Sequence, residues 1–337
     1  MSGPANTADR YARQVILPEI GAAGQARIRA AHVLVVGAGG LGVPVVQYLA
    51  AAGVGRITLV DPDLVERTNL HRQPIYGGRL GRPKAQAAVA VLRILNPDVV
   101  VTPVVDWLTP ANAPALVAGA DLVLDCADSF AASYTLSDIC LPTGKPLISA
   151  SVLGMAGYVG GFCGGAPSLR AVFPDLPPAL GTCATTGVLG PVAGMFGTLQ
   201  AQMTLSVLLG FAPSPLGQLI RHEMSGFRLS GFRFDRAPEP EPAPHRFIAR
   251  GDLSPQDFLI DLRDAIEAPL PAAPFARRHR VEDFGPGGPV PEPGQRAVFA
   301  CRSGLRAWRA ADRLRPHWPG EIALLADLPE IPGGETR

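Results

Sequence analysis

The chain has 337 residues, 47% of them hydrophobic and 18% charged, and a formal net charge of +1. That length exceeds what one hydrophobic core usually organises and points to two domains of unequal size, while the apolar content excludes a mainly disordered chain. Near-neutrality without a run of lysines and arginines excludes an electrostatic footprint for nucleic acid or a membrane surface, which leaves small molecules and proteins as partners.

The first residues, Met1 to Asp9, are polar and lack the apolar core of a secretory signal. No uninterrupted apolar stretch reads as a membrane span, so the expected location is cytoplasmic. The apolar strand His32 to Val36 then runs into Gly37-Ala38-Gly39-Gly40-Leu41-Gly42, and an alanine-rich helical pattern follows to Ala52. Ile57 to Val60 reads as a second buried strand ending at Asp61, followed by a helix from Lys84 to Leu95, a third strand around Val99 to Val105 and a fourth from Asp121 to Cys126. Apolar strands alternating with helices predict an α/β fold, a doubly wound parallel sheet with helices on both faces and ligands at the strands' carboxyl ends.

After Ser151 the sequence turns Gly-rich with short strands through Cys163 and Phe173, and a long apolar helix from Gly190 to Leu209 is expected to be buried. Arg236 to Pro244 alternates proline with charge and predicts an extended, semi-rigid linker. The predicted organisation is therefore a large domain over residues 1–235, a linker over 236–244 and a small α/β domain over 245–337. The last has apolar strands at Phe258 to Asp261 and Ala297 to Ala300 and a helix from Leu305 to Leu314.

Gly37, Gly39 and Gly42 have the G-x-G-x-x-G spacing that permits a tight turn and close approach of backbone to phosphate, and Asp61 ends the next strand where a carboxylate accepts ribose hydroxyls. These features alone fit a nicotinamide-dependent oxidoreductase equally well. Asn69, Arg72 and Lys84 add an amide and two cations, which suits a triphosphate with charge developing at its α-phosphorus. Asp128, just after the fourth strand, is placed to hold magnesium. Taken singly, Arg72 and Lys84 read as solvated surface cations.

Together, Arg10-Tyr11-Ala12-Arg13-Gln14, the glycine turn, Asp61-Pro62-Asp63, Asn69-Leu70-His71-Arg72-Gln73, Gly81-Arg82-Pro83-Lys84 and Asp125-Cys126-Ala127-Asp128 resemble the MoeB/ThiF family of sulfur-carrier adenylyltransferases, relatives of the ubiquitin-activating enzymes. The resemblance implies a Rossmann-like domain that uses ATP and Mg2+, with Gly39, Gly40, Gly42, Asp61, Asp63, Asn69, Arg72, Gln73, Lys84 and Asp128 around the nucleotide. In it Asp61 binds ribose, Asn69 and Arg72 the triphosphate, Lys84 the α-phosphate and Asp128 the metal. Arg13 reaches the partner's site across a two-fold interface, which implies a homodimer. The implied partner is a ubiquitin-like sulfur-carrier protein ending in Gly-Gly, whose carboxylate is ionised at neutral pH and needs no general base. Leu153 to Phe162 is either a clamp for that tail or ordinary core strand. A non-catalytic scaffold for a ubiquitin-like protein is the alternative of another class.

The five cysteines, Cys126, Cys140, Cys163, Cys183 and Cys301, are scattered and odd in number, against a disulfide framework. Cys126, Cys140 and Cys163 read as core residues. Cys183, in the segment resembling the family's cysteine-bearing stretch, is either a nucleophile for the acyl-adenylate or a bystander. Ser168 and Ala171 stand where family relatives carry the first of two Cys-x-x-Cys pairs, so no structural zinc is expected. Ser129 stands where the family usually has Asn.

Asp261-Leu262-Arg263 and Cys301-Arg302-Ser303-Gly304-Leu305-Arg306 resemble a shortened rhodanese domain. A cysteine ending a strand and opening a helix is surrounded by N–H groups that favour thiolate. The resemblance implies that Cys301 takes sulfur from a donor such as thiosulfate or a cysteine desulfurase. A degenerate docking module is the alternative.

Overall fold

The computed structural model describes residues 10–176, 187–241, 245–329 and 331. Its first sheet is eight-stranded in the order β3-β2-β1-β4-β5-β6-β7-β8. The parallel part comprises β1 (His32–Val36), β2 (Arg56–Val60), β3 (Val100–Val104), β4 (Leu122–Asp125) and β5 (Pro146–Leu153). Because successive side chains on a strand point to opposite faces, Val33, Val35, Leu59 and Leu124 enter one core and Leu34, Val36, Val60 and Val123 the other. The first core is closed by α3 (Gly42–Ala52), α4 (Lys84–Leu95) and α8 (Gly190–Leu209), the second by α5 (Ala113–Ala118) and α6 (Phe130–Thr143). Two covered faces explain the unbroken apolar runs, and each fully enclosed leucine, such as Leu34 or Leu59, contributes roughly 2 kcal/mol. The predicted doubly wound α/β arrangement is borne out. The sheet then continues antiparallel through β6 (Ala156–Cys163), β7 (Gln218–Glu223) and β8 (Arg228–Arg233).

Strand order reverses between β2 and β4 on either side of β1, which opens a crevice at their carboxyl ends. Ahead of β1, α1 (Ala12–Val15) and α2 (Gly21–Ala30) lie at the opposite end of the sheet. Tyr11 there accepts a hydrogen bond from Asn96 Nδ2 at 2.7 Å, and Gln14 Nε2 donates to Ala52 O, the last turn of α3, at 3.0 Å. The helix α8 has the length and apolar composition of a membrane span, contrary to the expectation that no such stretch occurs, but half of it is buried within the fold and it carries the fully enclosed Gln200.

A second sheet, all parallel, has the order β11-β10-β12-β13-β9, from β9 (Arg246–Phe247), β10 (Phe258–Asp261), β11 (Arg277–Arg278), β12 (Ala297–Cys301) and β13 (Ile322–Ala326). One of its faces packs on α9 (Leu305–Leu314) and shares a core with α6 of the first sheet; the other is covered by Leu253, Ala272 and Ala276. At the junction Arg170, of the short α7 (Leu169–Val172), binds Asp138 through two nitrogens at 2.6 and 2.9 Å, donates to His245 O at 3.0 Å and lies over the rings of Tyr134 and Trp308. The proline-rich stretch is tied down as well, because Glu239 accepts from Ser168 N at 2.7 Å and Ser168 Oγ at 2.5 Å.

Candidate active site

The turn between β1 and α3 needs glycine twice. Gly37 has φ +100°, in the left-handed region, and a Cβ on it would lie 2.5 Å from Cys126 O; a Cβ on Gly42 would collide with Gly37 O. Asp61, at the end of β2, clamps this turn. Its Oδ2 accepts from Ala38 N at 2.7 Å and its Oδ1 from Asp63 N at 2.9 Å, while Tyr76 donates its hydroxyl to Ala38 O at 2.8 Å. Burial pushes the Asp61 carboxyl up to about 6, against the lowering pull of Lys84 and the Ala38 N–H. Tyr76 was not legible in the sequence because its role depends on a turn folding back onto the glycine loop.

Lys84 opens α4, is itself buried, and pairs with the half-exposed Asp63 at 2.7 Å. Arg72 is aimed by its own neighbours: Nη2 donates to Asn69 Oδ1 at 2.7 Å and Nη1 to Thr68 O at 3.2 Å and His71 Nε2 at 2.9 Å. The Asn69 carbonyl is thus spent on orienting Arg72. The Arg72 stem lies against Gly40 and the Gln73 amide against Gly39, so the flatness of both glycines brings these side chains over the turn. Gln73 is buried, and among the described residues its Oε1 has no hydrogen-bond donor. Such a group next to a phosphate-type turn fits a nucleotide that supplies a donor.

Asp128 follows β4, and among the described residues no hydrogen bond or ion pair engages its carboxylate. Below it, Asp125 is fully enclosed, accepts from Ser149 Oγ at 2.8 Å and Ala127 N at 3.2 Å, and burial pushes its carboxyl up to about 6. Ser129 caps α6, its Oγ accepting from Ala132 N at 3.5 Å. Among the described residues no group of three or more metal-ligating side chains occurs. One free carboxylate beside a phosphate crevice fits magnesium nonetheless, since that ion takes one or two carboxylates together with substrate phosphates.

The glycine turn, Asp61, Asp63, Asn69, Arg72, Gln73 and Lys84 come together, with Asp128 at the end of the adjacent strand. Arg13 does not join them. It is exposed on α1, whose neighbour Gln14 is bonded to Ala52 O at the far end of α3 while the Tyr11 ring packs on Gly53 and accepts from Asn96. Cys183 lies outside the described residues. Segment Leu153 to Phe162 is not available as a clamp by strand addition over β6, because that strand is already paired on both sides, with β5 and β7.

Ser168 and Ala171 form a cap, Ser168 Oγ accepting from Ala171 N at 3.2 Å. Cys126, Cys140 and Cys163 are buried, and burial raises the Cys140 thiol to about 12. Cys301 ends β12 fully buried, with Ala307 N–H directed at Sγ at 3.4 Å. Arg306 beside it is held by Glu267 at 2.5 and 2.8 Å. Asp327 N donates to Cys301 O at 2.9 Å, and nearby Pro329 O accepts from Trp107 Nε1 at 2.9 Å, just beyond the carboxyl end of β3. The Cys301 loop therefore lies on the side of the molecule toward which the first sheet's strands point.

A model of the ThiF family matches residues 11–244, ending before the second sheet. The adenylyltransferase and sulfurtransferase MOCS3 of Bos taurus is 50% identical over 215 residues, which cover 63% of this chain and 47% of that protein. The adenylyltransferase and sulfurtransferase UBA4 of Yarrowia lipolytica is 45% identical over 204 residues, 60% of this chain and 52% of that one. The chain spans about half the length of these relatives. The SAMP-activating enzyme E1 of Haloferax volcanii is 41% identical over 226 residues, 66% of this chain and 84% of its own length. Among solved structures, E. coli MccB with ATP shares the fold at 21% identity and a TM-score of 0.61, over 70% of this chain and 74% of that one.

Proposed function

This chain belongs to the ThiF family, and from that premise we propose that it adenylylates the C-terminal carboxylate of a ubiquitin-like sulfur-carrier protein ending in Gly-Gly, using ATP with Mg2+, as a cytoplasmic homodimer. The carrying observation is the convergence of Arg72, Lys84 and the glycine turn on one crevice, with Asp128, which has no hydrogen-bond or ion-pair partner among the described residues, beside it. A carboxylate oxygen attacks the α-phosphorus and the bond from that phosphorus to the bridging oxygen breaks, releasing pyrophosphate. Anion meets anion in this step, so the work of the site is to offset repulsion and fix the line of attack. Lys84, buried and at the N-terminal end of α4, and Arg72 supply positive charge where it develops. Bound magnesium, held by Asp128, would neutralise phosphate oxygens. Nothing needs to remove a proton, since the attacking group is already ionised. Arg13, too far from its own turn, serves the partner's site.

In the second half of the reaction, a persulfide on Cys301 supplies sulfur to the acyl-adenylate, its donor thiosulfate or a cysteine desulfurase. The terminal sulfur attacks the acyl carbon and expels AMP. A reductant thiol then cleaves the resulting acyl disulfide to a thiocarboxylate. The test of the first half is exchange of labelled pyrophosphate into ATP, expected only with Mg2+ and a Gly-Gly-ended carrier. Exchange without the carrier, or none with any such carrier, would reject the reading.

A further inference from the structure

Helix α8 meets the Arg72 segment and the glycine turn along one stripe. A Cβ on Gly190 would lie 2.5 Å from His71 O, Ala193 meets Gly40, and Gly197 seats against Leu41 O. Gln200 follows on the same face at helical spacing. It is fully buried against the apolar core, an expensive place for an amide unless it is used. Its Nε2 donates to Asp125 O at 2.7 Å and Ile148 O at 3.3 Å, and its Oε1 accepts from Cys126 Sγ at 3.5 Å.

These contacts fall where β4 leaves the sheet. The last β4–β5 partners are Asp125 and Ser149, so beyond them no ladder bond from β5 holds the departing chain. Gln200 fills that role, reaching up from a different layer to the carbonyls of both strands. The remaining groups of the exit are pinned too: Cys126 N donates to Val36 O at 2.8 Å, and Cys126 O packs on Gly37. Asp128 emerges from this braced peptide, with the α6 cap immediately after it.

We propose that Gln200 is a positioning residue that sets the Asp128 carboxylate against the phosphate crevice, coupling it through α8 to the glycine turn and to the Arg72 segment. The inference rests on the adenylylation reading and adds a residue that never touches substrate. Removing an outer group of this kind costs about tenfold or more in metal affinity.

Gln200→Met keeps the side chain's shape and removes both donors. It is expected to raise the Mg2+ concentration for half-maximal pyrophosphate exchange by about tenfold or more and to weaken Mn2+ binding in the presence of ATP, read by electron paramagnetic resonance, by a like factor. The KM for ATP at saturating Mg2+ should stay within about threefold, because the arginine and lysine are untouched. Gln200→Glu, which retains one donor when protonated, should fall between Met and wild type. A wild-type Mg2+ midpoint and Mn2+ affinity in a folded Gln200→Met protein would overturn the proposal, and so would loss of folding in both variants, which would make the amide a stability element only. Asp128→Ala separates the two levels: if it leaves Mn2+ binding and Mg2+ dependence unchanged, the magnesium reading itself fails, whereas a shift in Asp128→Ala without one in Gln200→Met rejects only the role of Gln200.

Discussion

Lys84 shows how a residue type acquires a function from its surroundings. A lysine at a helix start is ordinarily a solvated cation, yet this one is 5% exposed, with Asp63 as its ion-pair partner and the Asp61 carboxylate nearby. A buried ammonium among phosphate oxygens is worth more than one in water, and loss of one such group costs roughly 10²–10³ in rate. Lys84→Ala and Asp128→Ala are each expected to lower carrier-dependent pyrophosphate exchange by about a hundredfold or more with little change in thermal stability; exchange within tenfold of wild type would remove the residue from the site. Asp61 adds a pH dependence. Its carboxyl, raised to about 6 chiefly by burial, is ionised above that pH and holds the glycine turn; below it, protonation takes away acceptor capacity. ATP affinity should fall as pH drops through about 6, and the fall should be shallower in Asp61→Asn, measured by calorimetric titration from pH 5 to 8. Stability has the opposite sign. Between 3.8 and about 6 the folded state keeps a proton that the unfolded state has released, so this group makes the protein less stable as pH rises through that window.

Elements decide what residues can reach. The turn that carries Arg13 is fastened to the far end of α3, by Gln14 bonding Ala52 O and Tyr11 packing on Gly53, and that eleven-residue helix spans about 16 Å from the glycine turn. No rotamer of Arg13 covers that distance back to its own crevice. Arg13→Ala should therefore be inactive alone, as should Lys84→Ala, but a mixture allowed to exchange subunits should recover about a quarter of wild-type activity, from hybrid dimers with one intact shared site. No recovery after exchange verified by native mass spectrometry would assign Arg13 a local role. The antiparallel extension β6–β8 is the other decision at this scale. It closes the main chain of β6 on both sides and leaves β8, with the exposed Leu229 and Phe232, as the edge.

The whole molecule joins its two sheets through Arg170 and the stack of Tyr134 on Trp308, whose centroids are 4.9 Å apart. Breaking a buried ion pair by removing one partner costs about 3–5 kcal/mol. Trp107, Trp308 and Trp318 all lie in the second unit or against it, so urea unfolding followed by tryptophan fluorescence reports on that unit, and far-ultraviolet dichroism on the whole. The two midpoints should coincide in the wild type and separate in Arg170→Met, the fluorescence transition moving to lower urea; coincidence in the variant would show that the apolar core alone holds the joint. With the second unit docked, its buried thiol stays near one position, so on the proposed reading it is the carrier tail that travels. Cys301→Ser should leave pyrophosphate exchange intact and abolish thiocarboxylate formation from limiting thiosulfate, read by mass spectrometry of the carrier. An unchanged yield would reduce the second unit to a docking module.

What the sequence determined by itself is local in origin. Apolar runs bounded by Gly and Asp specified β1, β2 and β4, the helical pattern specified α4, a long apolar run marked α8, and the glycine spacing placed the turn, because each is governed by backbone sterics and burial within a few residues. Asp61, Asn69, Arg72, Lys84 and Asp128, the residues proposed for the site, stood out for the same reason, as short ordered motifs. Tertiary structure alone decided the use of Asn69 to aim Arg72, the bond from Tyr76 to Ala38 O, the tie from Glu239 to Ser168 and the reach of Gln200 to Asp125 O. The last three join residues thirty-eight to seventy-five positions apart. Buried polar groups must find partners wherever the packing of layers brings them, and no local pattern encodes which layer that will be.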